Sequence, residues 1–395
     1  MQSDLSNNPD VTPMKEVGGP EGNDNNKNGK KPKKKRKKGR IVIAVILVLL
    51  LLFGAAGGAL AYFGLNWLED RFDTMDHVSV EKNDLEIDEQ VAKDLSNYRN
   101  ILILGIDRRE GENIEACRSD AMIVISINKE TGDVKMISVV RDSFLLLDEA
   151  GTQRIDKLTH AHAYGGPENT MRAINRNLDM NISEFLRVDW KTVADFVDGL
   201  GGLELTIHDY EIKEMNKYIK DTNKSLNGDR TPIKKAGKQR LNGVQVVTYC
   251  RIRKVGDGDS ERASRIRNTI KATITQGRKA GLKKLNAACD NAFSQITTNL
   301  STNDLIHLLW DNKSVNFKDS VGWPYTWDGA QLNGIWYDVP ITLESNVVDL
   351  HEDIFGQKGY EPTERVKEIS ESVSAESGFY EGRPVQYTNK DKIKK

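Results

Sequence analysis

The feature that most constrains this chain is an apolar stretch near its N-terminus. Residues Ile41 to Phe63 run without one charged side chain. As a helix they reach roughly 34 Å at about 1.5 Å per residue, which is enough to cross a bilayer core. A cleaved signal peptide is the alternative, because Ala59-Leu60-Ala61 resembles a cleavage site, but signal-peptide cores run only about 7–15 residues. We therefore predict a retained transmembrane helix over 41–63.

A basic cluster, residues 30–40, precedes this stretch with the sequence KKPKKKRKKGR. Positive charge beside a spanning helix keeps that side in the cytoplasm, so the chain after Phe63 is predicted to lie outside the cell. The cluster also resembles a nuclear-localisation or nucleic-acid patch. Next to a membrane span, topology and anionic lipid headgroups explain it better. We therefore expect a lipid bilayer as a partner and no nucleic acid.

Beyond the apolar stretch, strand and helix patterns alternate. Ile101 to Ile106 has the character of a buried strand, and the turn at 128–133 separates two further strand-like runs as in a hairpin. Helical spacing follows over Glu168–Leu178 and Lys191–Leu200. Residues 209–238 are polar and lysine-rich, which favours a long surface excursion. The alternation predicts an α/β domain.

Composition sets the expected boundaries. The first segment is rich in Asn, Gly and Lys and cannot bury enough surface to fold, so we predict that it is disordered. The last segment is again polar and charged. The predicted divisions are a basic cytoplasmic tail at 1–40, a transmembrane helix at 41–63, a stalk at 64–96, a catalytic α/β domain at 97–357 and a polar flexible tail at 358–395.

An unusual density of arginine lies between Arg251 and Arg267. Arginine binds phosphate bidentately through a planar group that stays charged. Arg251 and Arg253 share a face only if the backbone is extended, whereas Arg262 and Arg265 share one if it is helical. The alternative interpretation is a solvated charged loop.

Acidic and basic side chains also mark the ends of the predicted strands. Ligands of open α/β sheets bind beyond the carboxyl ends of strands. Asp107 lies at the end of the first predicted strand, Arg118 and Asp120 directly precede the second, and Arg141 ends the third. A cavity with this many cations favours an anion. Two carboxylates beside it suggest Mg²⁺, which bridges a few carboxylates to phosphate oxygens. Ion pairing between these aspartates and nearby arginines is the alternative.

Several segments together resemble the LytR-CpsA-Psr family. Their order and spacing match the family across roughly residues 97 to 357, although no single motif is specific. The segments are Asn100–Asp107, Arg118–Asp120, Ser138–Ser143, Ala163–Gly166, Asp198–Gly202 and Tyr249–Arg265.

The resemblance implies an α/β/α sandwich around a mixed central sheet, with an apolar groove for a lipid chain. It also implies an enzyme that transfers a glycopolymer from a polyprenyl-pyrophosphate carrier to peptidoglycan as a phosphodiester. A polyprenyl-pyrophosphate hydrolase and a non-catalytic regulator that binds wall precursors remain alternatives. The implied roles are Asp107 and Asp120 as ligands of Mg²⁺ (or Mn²⁺), Arg141, Arg251, Arg253 and Arg262 as pyrophosphate-binding catalytic residues, and Arg118, Asp259 and Arg265 as supporting substrate contacts.

Two residues depart from the family pattern. Val140 stands where the family usually has proline before Arg-Asp, and Ile266 stands where a glutamine commonly follows the last arginine. The residue that accepts the proton of the attacking sugar hydroxyl stays open among Asp107, Asp142 and Asp259.

The chain has three cysteines, without metal-ligand spacing. Cys117 and Cys250 each directly precede an arginine assigned to the site, and an extracytoplasmic compartment permits disulfides. We hypothesise a Cys117–Cys250 disulfide that fixes Arg118 against Arg251. Two ordinary buried thiols are the alternative.

Overall fold

The computed structural model describes residues 67, 69–108, 111–256, 258–277, 279–301, 304, 316–383 and 387–388, with backbone only at 259, 282 and 387–388. The predicted cytoplasmic tail and the predicted span over 41–63 lie outside these residues. Within the described ranges, no helix is both long and apolar enough to cross a bilayer.

A mixed sheet of eight strands organises the described chain, in the order β1-β10-β7-β2-β3-β4-β11, with β12 also paired to β4. β2 runs parallel to β7 and antiparallel to β3, which is antiparallel to β4. These strands are β1 (Asp76–His77), β2 (Tyr98–Ile106), β3 (Ser119–Asn128), β4 (Asp133–Val139), β7 (Glu184–Asp189), β10 (Thr297–Thr298), β11 (Asn316–Phe317) and β12 (Val321–Trp323).

Smaller sheets flank this one. The short strands pair as β5–β6, β8–β9 and β14–β13–β15. Their bounds are β5 (Phe144–Glu149), β6 (Thr152–Lys157), β8 (Leu203–Ile207), β9 (Gly237–Leu241), β13 (Thr326–Leu332), β14 (Ile335–Pro340) and β15 (Tyr387–Thr388).

The helices are separated by these strands along the chain, with short 3-10 turns at Lys82–Leu85, Ile114–Ala116 and Phe293–Gln295. Their bounds are α1 (Glu89–Asp94), α2 (Thr159–Leu178), α3 (Trp190–Gly199), α4 (Asp209–Leu226), α5 (Gly243–Arg251), α6 (Asp259–Gly277), α7 (Leu282–Ala292), α8 (Leu343–Phe355) and α9 (Glu364–Ser377).

Successive side chains of a strand point to opposite faces of the sheet. Helices pack against both faces of the central sheet and form two cores with these side chains. Leu102 and Leu104 of β2 belong to one core, which also holds side chains of α2, α8 and α9. Ile101 of the same strand belongs to a second core, with side chains of α3, α6 and α7. The predicted mixed α/β fold with a mixed central sheet is confirmed.

A third core holds the segment that carries the arginines. Leu203, Leu241 and Val247 bring together β8, β9 and α5, and Met215 of α4 packs against them. Helix α5 approaches α3 closely, because a Cβ on Gly243 would lie 2.3 Å from the carbonyl oxygen of Ala194. This contact fixes the direction in which α5 delivers its last residue, Arg251.

Three expectations from the sequence need correction. The segment predicted as a stalk, 64–96, packs into the domain where it is described: Phe72 and Leu85 are buried, and β1 pairs with β10. The surface excursion predicted over 209–238 contains the amphipathic helix α4. The tail predicted as flexible from 358 contains α9, whose Val366 and Ile369 are buried. In each case hydrophobic residues recur at helical or strand spacing within a mostly polar sequence.

Helix α9 makes a testable contribution to stability. Replacing Ile369 with alanine removes apolar atoms from a packed core and is expected to lower the free energy of unfolding by about 3 kcal/mol. Guanidinium denaturation of the folded domain measures this change. Glu371→Ala, on the exposed side of the same helix, is the control and is expected to change stability by about 0.5 kcal/mol or less. Equal effects of the two substitutions would show that α9 is not packed.

Candidate functional site

A cleft of about 880 Å³ opens where three central strands end or begin. Asp107 follows β2, Asp120 lies near the start of β3, and Arg141 comes two residues after β4. Because β3 is antiparallel to both of its neighbours, these three positions meet at one edge of the sheet. The charged residues of its wall are Asp107, Glu112, Arg118, Asp120, Arg141, Asp221, Arg251, Arg253, Lys254 and Arg262.

Asp120 is the centre of the cleft's charge network. Its carboxylate accepts hydrogen bonds from Arg141 Nη1 at 2.6 Å and from Arg262 Nη2 at 3.0 Å. Arg253 Nη2 lies 3.4 Å from the same carboxylate. Burial alone would raise the pKa of Asp120, but the three guanidinium groups offset burial and hold the pKa below its usual value. Asp120 therefore remains a carboxylate and gathers three arginines.

Asp107 is held more loosely. Its carboxylate oxygen Oδ2 lies 3.5 Å from Arg251 Nη2, and its side chain is 38% exposed. Arg251 also reaches Thr222 of α4, with 3.4 Å between Nη1 and Oγ1. Asp107 thus presents an accessible carboxylate to the cleft opposite the arginines on Asp120.

The local backbone explains why Arg251 and Arg253 converge. Asn242 caps α5 by accepting the N–H of Gln245, while the Gln245 side chain accepts the N–H of Asn242. The helix ends at Arg251, and Ile252 is extended, with φ −65° and ψ 138°. An extended residue between two arginines brings both to the same side, as the spacing predicted.

Arg265 has a different place from the one expected. It is 1% exposed and pairs with the equally buried Glu211, with 2.8 Å between Nε and Oε1. It also donates to the carbonyl oxygens of Ile252 and Val255 at 2.9 and 3.1 Å. The prediction of a substrate contact is therefore corrected: Arg265 lies on the same face of α6 as Arg262, but its guanidinium is buried against Glu211 and clamps the turn that carries Arg253.

Arg118 and Asp259 are the other two residues that were predicted to support the substrate. Arg118 lines the cleft as expected. Asp259 begins α6, but its side chain lies outside the described part of the structure. Asp142 does not line the cleft; its carboxylate is bound by Lys157 at 2.9 Å and lies 3.4 Å from Arg141.

The proposed disulfide is wrong. Cys117 and Cys250 are both free thiols. Cys117 lines the cleft, whereas Cys250 is buried with its sulfur 3.2 Å from Thr269 Oγ1. Successive residues of a helix point about 100° apart, so Cys250 faces the interior while Arg251 faces the cleft. Each cysteine directly precedes a site residue in the sequence, but this does not bring the two sulfur atoms together.

Sequence reasoning missed the wall formed by α4. Tyr218 and Asp221 line the cleft from this helix, and Lys254 lies between the predicted arginines. The buried side chains of Met215 and Ile219 lie four residues apart, and this helical spacing was the available signal.

An apolar cavity of about 100 Å³ lies beside the cleft, between α6 and the sheet. Ile103 and Ile123 line it from the strands, and Ile266 and Ile270 line it from α6. Its volume equals roughly three water molecules of the liquid. Ile266, one of the departures from the family pattern, thus contributes an apolar side chain to this cavity.

Val140, the other residue that departs from the family pattern, adds a backbone hydrogen bond. The N–H of Val140 donates to the carbonyl oxygen of Trp323 at 2.9 Å. A proline at this position would have no N–H to donate. Val140 thereby continues the pairing of β4 with β12 up to Arg141.

Asp107 and Asp120 are the two carboxylates that the sequence analysis assigned to a divalent cation, and both line the cleft. Among the described residues, no group of three or more His, Cys, Asp or Glu side chains forms a metal cage. Mg²⁺ is commonly held by one or two carboxylates together with phosphate oxygens and water. Asp107, which has free access to the cleft, and Asp120, once its arginines turn to an anion, fit that donor set.

The fold and cleft together define a mixed α/β protein with an arginine-lined cleft at the ends of its central strands. The model of the LytR_cpsA_psr family matches residues 69–348. The chain therefore belongs to the LytR-CpsA-Psr family, as the sequence motifs predicted.

Individual members of the family share less than a third of their aligned residues with this chain. The chain is 28% identical over 253 residues to the polyisoprenyl-teichoic acid–peptidoglycan teichoic acid transferase TagU of Bacillus licheniformis, covering 62% of this chain and 74% of that protein. It is 29% identical over 232 residues to the transferase TagT of Bacillus subtilis, covering 57% of this chain and 68% of TagT.

Solved structures share the fold. A structure of TagT bound to LI-WTA matches 76% of this chain and all of that chain, with a TM-score of 0.53 and 23% identity. The protein gbs0355 of Streptococcus agalactiae matches 70% of this chain and 93% of that chain, with a TM-score of 0.56 and 21% identity.

His162 links the rim of the cleft to α2 and gives a pH prediction. Its Nδ1 lies 2.7 Å from the carbonyl oxygen of Cys117, and burial lowers its pKa to about 4. Unfolded histidine titrates near 6.5, so between these values the unfolded chain binds the extra proton. The free energy of unfolding is therefore expected to fall by about 3 kcal/mol from this residue as the pH drops from 6.5 to 4.

Denaturation at pH 7 and pH 4.5 measures this effect in His162→Asn, whose amide can still donate to Cys117. The variant should lose less stability on acidification than the wild type. His208→Asn, at the exposed N-cap of α4, is the control and should keep the wild-type pH dependence. An unchanged dependence in His162→Asn would contradict the assignment.

Proposed function

We propose that this chain is a membrane-anchored phosphotransferase that moves a glycopolymer from a polyprenyl-pyrophosphate carrier to peptidoglycan and forms a phosphodiester. The observation that carries the proposal is the convergence of Arg141, Arg251, Arg253 and Arg262 with two aspartates in one cleft. The family membership and the names of the relatives TagU and TagT support it.

The cleft suits a diphosphate better than a small neutral ligand. Its arginines come from four separate segments of the chain, so they can surround a ligand on several sides. Guanidinium groups bind phosphate oxygens through paired hydrogen bonds. The carboxylate of Asp120 holds Arg141 and Arg262 in place until phosphate oxygens replace it.

The reaction that this arrangement supports is a displacement at the phosphorus that bears the glycan. A hydroxyl oxygen of a wall sugar forms the new bond to that phosphorus, the bridging bond to the other phosphorus breaks, and polyprenyl phosphate leaves with the electron pair. The hydroxyl proton passes to a base. Phosphoryl transfer depends mainly on positioning and on stabilising the charge on the phosphate oxygens, and the arginines supply both. Water in place of the sugar gives slow hydrolysis.

The proposal includes Mg²⁺ or Mn²⁺ held by Asp107 and Asp120. Bound with the diphosphate, such an ion supplies Lewis-acid stabilisation of the charge that develops on phosphate oxygens. The carboxylate of Asp107 is partly exposed, so the ion can reach it before it reaches Asp120.

The lipid chain and the membrane complete the proposal. The apolar cavity under α6 begins at Gly105, two residues before Asp107, so it adjoins the diphosphate site. It is too small for a polyprenyl chain as it stands, and the chain would have to part α6 from the sheet. The sequence of 30–63 supports a single-pass anchor in the cell membrane with a cytoplasmic N-terminus and an extracytoplasmic catalytic domain. A tether raises the effective concentration of a lipid-linked substrate.

One assay separates this function from its alternatives. The full-length chain is incubated with a labelled lipid-linked oligosaccharide, peptidoglycan and Mg²⁺. Transfer puts the label on the wall, hydrolysis releases free sugar phosphate, and a binding protein that lacks turnover gives neither product. Absence of wall-bound label would overturn the proposal.

Arg251→Ala tests the arginines in the same assay. Removing one donor to a developing charge typically costs about 100-fold to 1,000-fold in rate, so both transfer and hydrolysis should fall by about 100-fold or more. The matched control is Arg240→Ala, an exposed arginine on β9, which should retain the wild-type rate. Unchanged turnover in Arg251→Ala would remove the arginine cluster from the mechanism.

Asp107→Asn tests the metal. Loss of one charge contact of about 1.4 kcal/mol should raise the Mg²⁺ concentration for half-maximal turnover roughly tenfold, and the electron paramagnetic resonance signal of bound Mn²⁺ should weaken in parallel. Chelation should stop transfer by the wild type. Asp221→Asn removes the same charge from the α4 wall and should change the requirement much less. An unchanged requirement in Asp107→Asn would show that this carboxylate holds no metal.

A further inference from the structure

A second polar cleft lies on the other side of α6 from the apolar cavity. It has a volume of about 520 Å³ and is bounded by the N-terminal half of α6 and by β4, β11 and β12 at the sheet edge. We name it the Arg267 cleft. The lining residues that matter here are Glu261, Ser264, Arg267, Phe317, Asp319 and Ser320.

Arg267 forms no ion pair with a carboxylate among the described residues, although the charge of Glu261 acts on it from a longer distance. Its Nη1 donates to Ser138 Oγ at 2.7 Å and lies 3.5 Å from the carbonyl oxygen of Val321. Burial lowers the pKa of this guanidinium to about 10, yet it remains charged at neutral pH. Glu261 offsets only part of the free energy that burying this charge costs, because the net pKa shift is downward. The remaining N–H groups of Arg267 are therefore suited to an anionic group of a ligand.

The other lining groups narrow the ligand class. Lys318 is paired with Asp133 at 3.3 Å, and Lys135 is paired with Asp353. Glu261 and Asp319 add negative charge, which disfavours a polymer with many phosphates. Hydroxyl groups and one aromatic ring instead suit a saccharide. The combination fits an oligosaccharide that carries isolated carboxylates and amides, which is the chemistry of peptidoglycan.

The position of the cleft fits the geometry of the reaction. The apolar cavity lies over β7, β2 and β3, whereas the Arg267 cleft lies over β4 and β12, with Asp120 and Arg141 between them. In phosphoryl transfer the attacking and leaving oxygens are roughly in line across the phosphorus. If the leaving lipid phosphate is on the side of the apolar cavity, the attacking sugar comes from the side of the Arg267 cleft.

The distance between Arg267 and the arginine cleft sets a minimum length for the acceptor. Ser138, to which Arg267 is bonded, precedes Arg141 by three residues, or about 10 Å of strand. Arg267 follows Arg262 by five residues, or about 7.5 Å of helix. A sugar that reacts in the arginine cleft can thus reach Arg267 only through a neighbouring sugar or its peptide substituent.

We propose that the Arg267 cleft binds the peptidoglycan acceptor beyond its reacting sugar, through a carboxylate on Arg267 and hydroxyl or amide groups on Ser264 and Ser320. This inference rests on the proposed transferase function. It assigns the acceptor to the β4–β12 edge of the sheet and leaves the donor in the arginine cleft.

The test measures transfer from a lipid-linked oligosaccharide to soluble peptidoglycan fragments by the full-length chain. Ser264→Trp fills the Arg267 cleft without removing a buried hydrogen bond, and Arg267→Gln removes the positive charge of Arg267. For a peptide-bearing tetrasaccharide acceptor, KM should rise at least tenfold in both variants, and the ratio of transfer to hydrolysis should fall accordingly. For a monosaccharide acceptor, which is too short to reach the cleft, KM should not differ from that of the wild type.

Ser372→Trp, an exposed serine on α9, is the matched control and should behave as the wild type. Thermal melting identifies a variant that fails to fold, and in that event Ser264→Trp decides the matter in place of Arg267→Gln. Transfer by the wild type with an unchanged tetrasaccharide KM in Ser264→Trp would overturn the inference and leave the transferase function intact. A change in the KM of the lipid-linked donor alone would also overturn it, since the cleft would then hold the donor polymer. Lack of transfer by the wild type would refute the transferase function itself.

Discussion

The site depends on one carboxylate, that of Asp120, whose side chain is 13% exposed. Three guanidinium groups lie within 3.4 Å of it, and like charges so close together repel one another by several kcal/mol at the dielectric of a protein surface. The carboxylate offsets that repulsion and ties β3 to the end of β4, to α6 and to the turn after α5. Positions far apart in the sequence thereby form one anion site.

Helix α6 is the element that the neighbouring compartments share. Arg262 faces the arginine cleft, Ile266 and Ile270 face the apolar cavity, and Ser264 and Arg267 face the polar cleft at the sheet edge. A helix turns about 100° per residue, so a short stretch can present three chemistries in three directions. Because these groups sit on one rigid body, a displacement of α6 that widens one compartment changes the others as well.

The sequence predicted the parts of this architecture that have strong local signals. The buried strand at 101–106, the hairpin around 128–133 and the aspartate and arginine residues at the strand ends all lie where the pattern indicated. A continuous apolar run and the charged residues at its end are properties of a few neighbouring residues, so they can be recognised without knowledge of distant contacts. Helices α4 and α9 were missed because their apolar residues are sparse in a charged background. Arg265 and Cys250 were misplaced because the surroundings of a side chain on a helix depend on packing that the sequence does not reveal. Cys117 follows the 3-10 turn Ile114–Ala116 and remains a free thiol.

The buried pair of Arg265 and Glu211 has a consequence for the response to ionic strength. Both side chains are 1% exposed, so mobile ions cannot reach them and screening affects them little. The turn from Ile252 to Val255 that they hold will keep its shape in concentrated salt. Electrolyte should consequently weaken the contacts that a ligand makes with the open cleft while the scaffold behind those contacts stays as it is.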